Sequence, residues 1–136
     1  MFIKECKRGF TVMEVMTVVI ILAILASLSL PTFIKTIEVS KGRMAKSYLK
    51  LIYAAEKVYR NEYDCYYPQP PGTITDLALI NQNLGLDLKP SDDFDYVLTT
   101  SKCNVFKVEA KRKKGRYTSW VISINQNEDI TEENKP

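Results

Sequence analysis

Phe10 to Ile34 is a run of 25 residues in which Glu14 is the only charged side chain, and its apolar centre runs from Val15 to Leu30. A bilayer core takes about 20 apolar residues as helix, so this run is long enough to span one. Past Lys35 the pattern changes. Ile37, Met44, Tyr48, Leu51, Ile52, Ala55, Val58 and Tyr59 are apolar, and spacings of three and four dominate from Met44 onwards. Lys46, Lys50, Glu56, Lys57 and Arg60 take the other sides. That is one apolar face of an α-helix, and it stops near Glu62, ahead of Cys65-Tyr66-Tyr67-Pro68. A single helix from Phe10 to Glu62 would reach about 80 Å at 1.5 Å per residue. A helix of that length cannot bury itself in a domain of about 100 residues. Its first half must find lipid or copies of itself.

The distal half reads as a small sheet with one short helix. Pro68-Gln69-Pro70-Pro71-Gly72 and Lys89-Pro90-Ser91-Asp92-Asp93 are loops. Between them Thr73 or Thr75 is placed to cap a helix through Asp76 to Ile80, closed by Asn83-Leu84-Gly85. Strands are predicted over Phe94–Thr100, Val105–Lys111 and Tyr117–Ile124. In the second, Val105, Lys107 and Glu109 alternate with Phe106, Val108 and Ala110; in the third, Trp120, Ile122 and Ile124 alternate with Ser119, Val121 and Ser123. Alternation with one polar face predicts an antiparallel meander packed on the helix, an α+β fold. The polar tail Thr131–Pro136 is expected to fray.

Charge adds a direction. Of a net charge of +3, the first nine residues carry Lys4, Lys7 and Arg8 against Glu5, and the remainder is close to neutral. Positive charge ahead of the apolar run predicts an inside N-terminus, with residues 36–136 outside. Cys6 then lies on the reducing side, and Cys65 and Cys103 lie where a disulfide persists. Such a bond would contribute about 4 kcal/mol by chain entropy; two free thiols are the alternative reading. The chain has no histidine, Gly-rich phosphate loop or nucleophile motif, so an enzyme is not expected, and neither a cofactor nor a metal is called for.

Two charged clusters stay open. Lys111-Arg112-Lys113-Lys114-Gly115-Arg116 reads as a solvated hairpin turn centred on Gly115, or as a polyanion-binding tip drawing affinity from phosphate attraction. Asp92, Asp93 and Asp95 offer oxygen ligands of the kind calcium takes, or are simply solvated.

The start of the chain carries the most specific pattern: Lys7-Arg8-Gly9-Phe10-Thr11-Val12-Met13-Glu14-Val15, then Pro31. A secretory signal would have a shorter apolar core and no carboxylate at its front, and a plain signal anchor would give Glu14 no role. A short basic leader ending in Gly, then Phe, then Glu four residues on, resembles the class III signal of type IV prepilins and type II secretion pseudopilins. The resemblance is strong over residues 1 to about 35 and weak beyond, where Val58–Tyr63 and Ile122–Ile130 are loosely similar to pilin-like domains.

This resemblance implies three regions: a leader, 1–9; a transmembrane and filament-core helix, 10–35; and a globular pilin-like domain, 36–136. It implies cleavage between Gly9 and Phe10 by a membrane prepilin peptidase, followed by methylation of the Phe10 amine. The subunit would rest in inner-membrane lipid as a single pass, and then join copies of itself and other pilin-like subunits in a helical filament, driven by an inner-membrane assembly platform. Glu14 of an incoming subunit would pair with the Phe10 amine of a neighbour, each charge offsetting the other's desolvation. The alternative is a capping box, Thr11-Val12-Met13-Glu14, in which Glu14 only caps its own helix. Pro31 would kink the helix by removing one hydrogen bond. The implied product is a type IV pilus or a type II secretion pseudopilus; a DNA-uptake or adhesion module on the same scaffold is the alternative, and outside that alternative nucleic acid is not an expected partner.

Overall fold

A computed structural model describes residues 9–136. Within them α1 runs Val12–Tyr63, β1 Thr73–Ile74, α2 Leu77–Leu84, β2 Phe94–Lys102, β3 Val105–Arg112, β4 Val121–Asn125 and β5 Ile130–Glu133. The chain divides into two compact units after Ile37. The N-terminal unit is the apolar part of α1, and every described residue in it is exposed.

The second unit, residues 38–136, holds the sheet. Its order is β1-β2-β3-β4-β5, antiparallel throughout. Register decides which side chains point inward. Tyr96 stands opposite Ala110, Leu98 opposite Val108 and Thr100 opposite Phe106; Val108 and Ala110 in turn face Ile124 and Ile122. All of these are buried, and all but Thr100 form one cluster with Ala45, Leu49 and Ile52 of α1.

The buried face of α1 in this unit is Gly42, Ala45, Leu49, Ile52 and Glu56. It lies beside the stripe expected from hydrophobicity, since Met44, Leu51 and Val58 are exposed. Gly42 explains the displacement: a Cβ built there would stand 1.9 Å from Trp120 Cη2. The indole occupies the space that any side chain would need, and it also meets the Phe94 ring edge-on at 5.6 Å.

Three local expectations are corrected. Asp76, not Thr73 or Thr75, caps α2: its extended backbone lets Oδ1 accept from the Ala78 amide at 2.8 Å. Thr73 instead opens β1, opposite Thr99. The third long strand starts at Val121, because the Trp120 amide is spent on a turn back to the Tyr117 carbonyl, 2.9 Å. The tail does not fray at Thr131. Asn125 Oδ1 takes the amides of Asn127 and Asp129, closing a turn that returns Ile130–Glu133 as β5. Ser123 and Thr131 then share a hydroxyl bond, and Glu132 pairs with Lys46 of α1.

Candidate functional site

In the N-terminal unit, Gly9, Phe10 and Thr11 precede α1 without regular structure, and Phe10 is 81% exposed. Thr11 caps the helix: its Oγ1 and its carbonyl both accept from the Glu14 amide, at 3.2 and 3.1 Å. The return bond of a full capping box, from the Glu14 carboxylate to the Thr11 amide, is absent among the described residues. Glu14 therefore sits in the first turn with its carboxylate uncommitted, where the helix dipole favours an anion.

Of the four other polar side chains from Val12 to Ile34, all but Thr32 bond within the helix. Thr17 donates to the Met13 carbonyl, Ser27 to Ile24 and Ser29 to Ala26, at 2.8, 2.7 and 3.2 Å. Hydroxyls satisfied this way suit an apolar medium. α1 runs through Pro31, which supplies no amide to the carbonyl four residues before it. This part of α1 is long and apolar enough to cross a membrane, and none of it is buried.

The charged groups of the second unit are arranged quite differently. Arg112 follows Phe106, Val108 and Ala110 on the inward face of β3, and its side chain is only 2% exposed. Its Nη2 lies 2.9 Å from Glu38 Oε2, its Nη1 bonds Asp93, and its guanidinium lies over the Phe94 ring. Lys41 joins at 3.1 Å from Asp93 Oδ1. Burial alone would raise the Asp93 carboxyl, yet Arg112 and Lys41 hold it below its ordinary value. This network ties the first turn of α1 in the unit to the end of the sheet.

The basic run is thus divided. Arg112 points inward, Lys111 pairs with Glu109 at 3.1 Å and Lys113 pairs with Asp95 at 2.6 Å. Among the described residues Lys114 and Arg116 have no acidic partner, and both flank the left-handed Gly115. Asp93 and Asp95 are engaged with these cations, and no group of three or more candidate metal ligands occurs among the described residues.

Cys65 and Cys103 are joined by a disulfide. It fixes the segment leaving α1 beside the start of β3, and the Tyr66 amide bonds the Cys103 carbonyl at 2.9 Å. The same segment is held from within by Glu56, a residue that hydrophobic patterning assigned to the solvent side. Glu56 is fully buried, and its Oε2 accepts from the Tyr67 amide at 3.0 Å. Burial pushes its carboxyl up to about 8, against the opposing pull of that amide. Thr100 donates to the Tyr67 carbonyl, completing the clasp.

A long N-terminal helix, apolar and bare in its first part and packed on an antiparallel sheet in its second, defines a pilin-like α+β architecture. Over 59 residues, 43% of its length, the chain is 48% identical to the type IV major pilin protein PilA of Myxococcus xanthus (strain DK1622). The match spans 27% of that pilin's own length. No protein-family model matches the chain, and no solved structure does.

Proposed function

We propose that this chain is a structural subunit that polymerises into a type IV pilus or a type II secretion pseudopilus. The observation that carries the reading is the bare apolar stretch of α1 with one uncommitted carboxylate, Glu14, at its start. Lipid covers that surface before assembly, and the same surface of neighbouring subunits covers it afterwards. The similarity to a major pilin supports a filament subunit. Cleavage between Gly9 and Phe10 would free an amine four residues ahead of Glu14. That amine is the counter-charge the carboxylate lacks within its own helix. An offset of neighbouring helices would leave both charges unpaired in an apolar medium, so the pair sets register. Prepilin peptidase, an inner-membrane platform and other pilin-like subunits are the partners this requires. The division of the basic run, with Arg112 buried, argues against a polyanion-binding tip built on all five cations.

Mass spectrometry of the mature chain tests the processing: loss of residues 1–9 and one methyl group on Phe10 are expected, and an intact Met1 refutes it. Glu14→Ala should insert in the membrane normally and give few filaments. Filament yield equal to wild type would leave Glu14 with no part in assembly.

A further inference from the structure

Among the described residues, the end of α1 and the end of α2 enclose a groove of about 330 Å³ that the filament reading does not use. Tyr59, Glu62 and Tyr63 line one side, Gln82 and Asn83 the other, with Val58 and Leu84 among the apolar residues between. The two tyrosines, one helical turn apart, are stacked at 4.4 Å between centroids and 29° between planes. Tyr67 meets Tyr59 edge-on at 5.7 Å. Each ring is thus held by another, and Tyr67 is anchored by the Glu56 clasp, so the aromatic surface is organised before any ligand arrives.

The polar groups around these rings are unspent. No hydrogen bond or ion pair engages the side chains of Glu62, Gln82, Tyr59 or Tyr63 among the described residues. Asn83 donates its Nδ2 to the Leu79 carbonyl at 2.8 Å and to the Tyr67 hydroxyl at 3.1 Å, leaving its Oδ1 free to accept. Both walls are helix C-termini, where carbonyls carry partial negative charge, and Glu62 adds a full one. Lysine and arginine are absent from the lining. Phosphates, nucleic acids and acidic sugars are therefore excluded. A ligand that presents an apolar face to the rings and several hydroxyls to carboxylate and carboxamide groups satisfies every part of the lining.

The geometry points to a binding site for neutral saccharides in this groove, with the Tyr59–Tyr63 stack as platform and Glu62, Gln82 and Asn83 as hydroxyl partners. It goes beyond the filament reading and does not depend on it.

The test uses the full chain in a polyoxyethylene detergent, which carries no sugar. Saturation-transfer NMR is run with cellotriose, maltotriose and laminaritriose, with trigalacturonate as the acidic control. At least one neutral trisaccharide should show transfer at millimolar concentration, and trigalacturonate should show none. Tyr63→Ala should weaken binding about tenfold and Tyr63→Phe much less, because the ring and not its hydroxyl forms the platform. Gln82→Ala, on an exposed position of α2, should weaken it several-fold while near-UV circular dichroism stays that of wild type. No transfer from any neutral sugar, equal binding of trigalacturonate, or unchanged binding in both Tyr63→Ala and Gln82→Ala would overturn the assignment. Filament formation by these variants is scored separately and bears only on the assembly reading.

Discussion

Replacing Glu56 by glutamine should change how stability depends on pH more than any other single substitution in the globular unit. The carboxyl ionises at about 8 in the fold and at about 4.5 in an unfolded chain. The folded state therefore holds a proton that the unfolded state releases across that range. Its contribution is complete below about pH 4.5 and is lost as pH rises through 8. At about 1.4 kcal/mol per pH unit, the wild type should lose roughly 4 kcal/mol between pH 5 and pH 9. Domains have only about 5–15 kcal/mol to lose. The other shifted groups leave this window clear. Asp93 and Glu109 lie below their ordinary values and change only on the acid side. Tyr59, Tyr67 and Tyr96 are raised from 10, and Lys57 is raised from 10.5. Thermal unfolding of the full chain in detergent, followed by near-UV circular dichroism of Trp120 and the tyrosines, reads the effect. The wild-type midpoint should fall by on the order of 15 °C from pH 5 to pH 9. Glu56→Gln keeps an oxygen for the Tyr67 amide and has nothing to ionise, so its midpoint should be nearly flat. A flat wild-type profile, or an equal slope in Glu56→Gln, would refute the reasoning.

Gly42→Ala should destabilise by about 2 kcal/mol despite alanine's better helix propensity, because the new methyl overlaps the Trp120 ring; the thermal midpoint at pH 6 reads it. Arg112→Met should cost about 2–3 kcal/mol by leaving the Glu38 and Asp93 carboxylates to share Lys41 alone. The same variant should lose less stability than wild type on going from pH 5 to pH 3, since Asp93, normally held low, stabilises above that range and loses its contribution as pH falls.

The long helix, the meander and the inward face of β3 were legible from period alone, because Phe106, Val108 and Ala110 face one way and helical spacing continues past Pro31. The helix face was read one position off. Three of its five anchors, Gly42, Ala45 and Glu56, carry little hydrophobic signal beside Leu49 and Ile52, whereas Met44, Leu51 and Val58 carry much and are exposed. Strand parity also placed Arg112 inward, two residues beyond Ala110, but the surrounding lysines disguised it as part of a solvated run. Glu56 had no signal at all, since its acceptor role depends on an amide eleven residues away across a turn. β5 was hidden for a similar reason: four mostly polar residues become a strand only once Asn125 folds the turn and Lys46 meets Glu132.

That last strand has a practical corollary for handling the protein. β5 is the outermost strand of the sheet, and it covers Val121–Ile124 in register. A shortened chain ending before Ile130 would bare the backbone of β4, whose Ile122, Ser123 and Ile124 are among the most sheltered residues of the domain. An uncapped strand of that kind recruits strands from other molecules indiscriminately. Purification handles and fluorescent fusions therefore belong after β5, as additions and never as replacements for it.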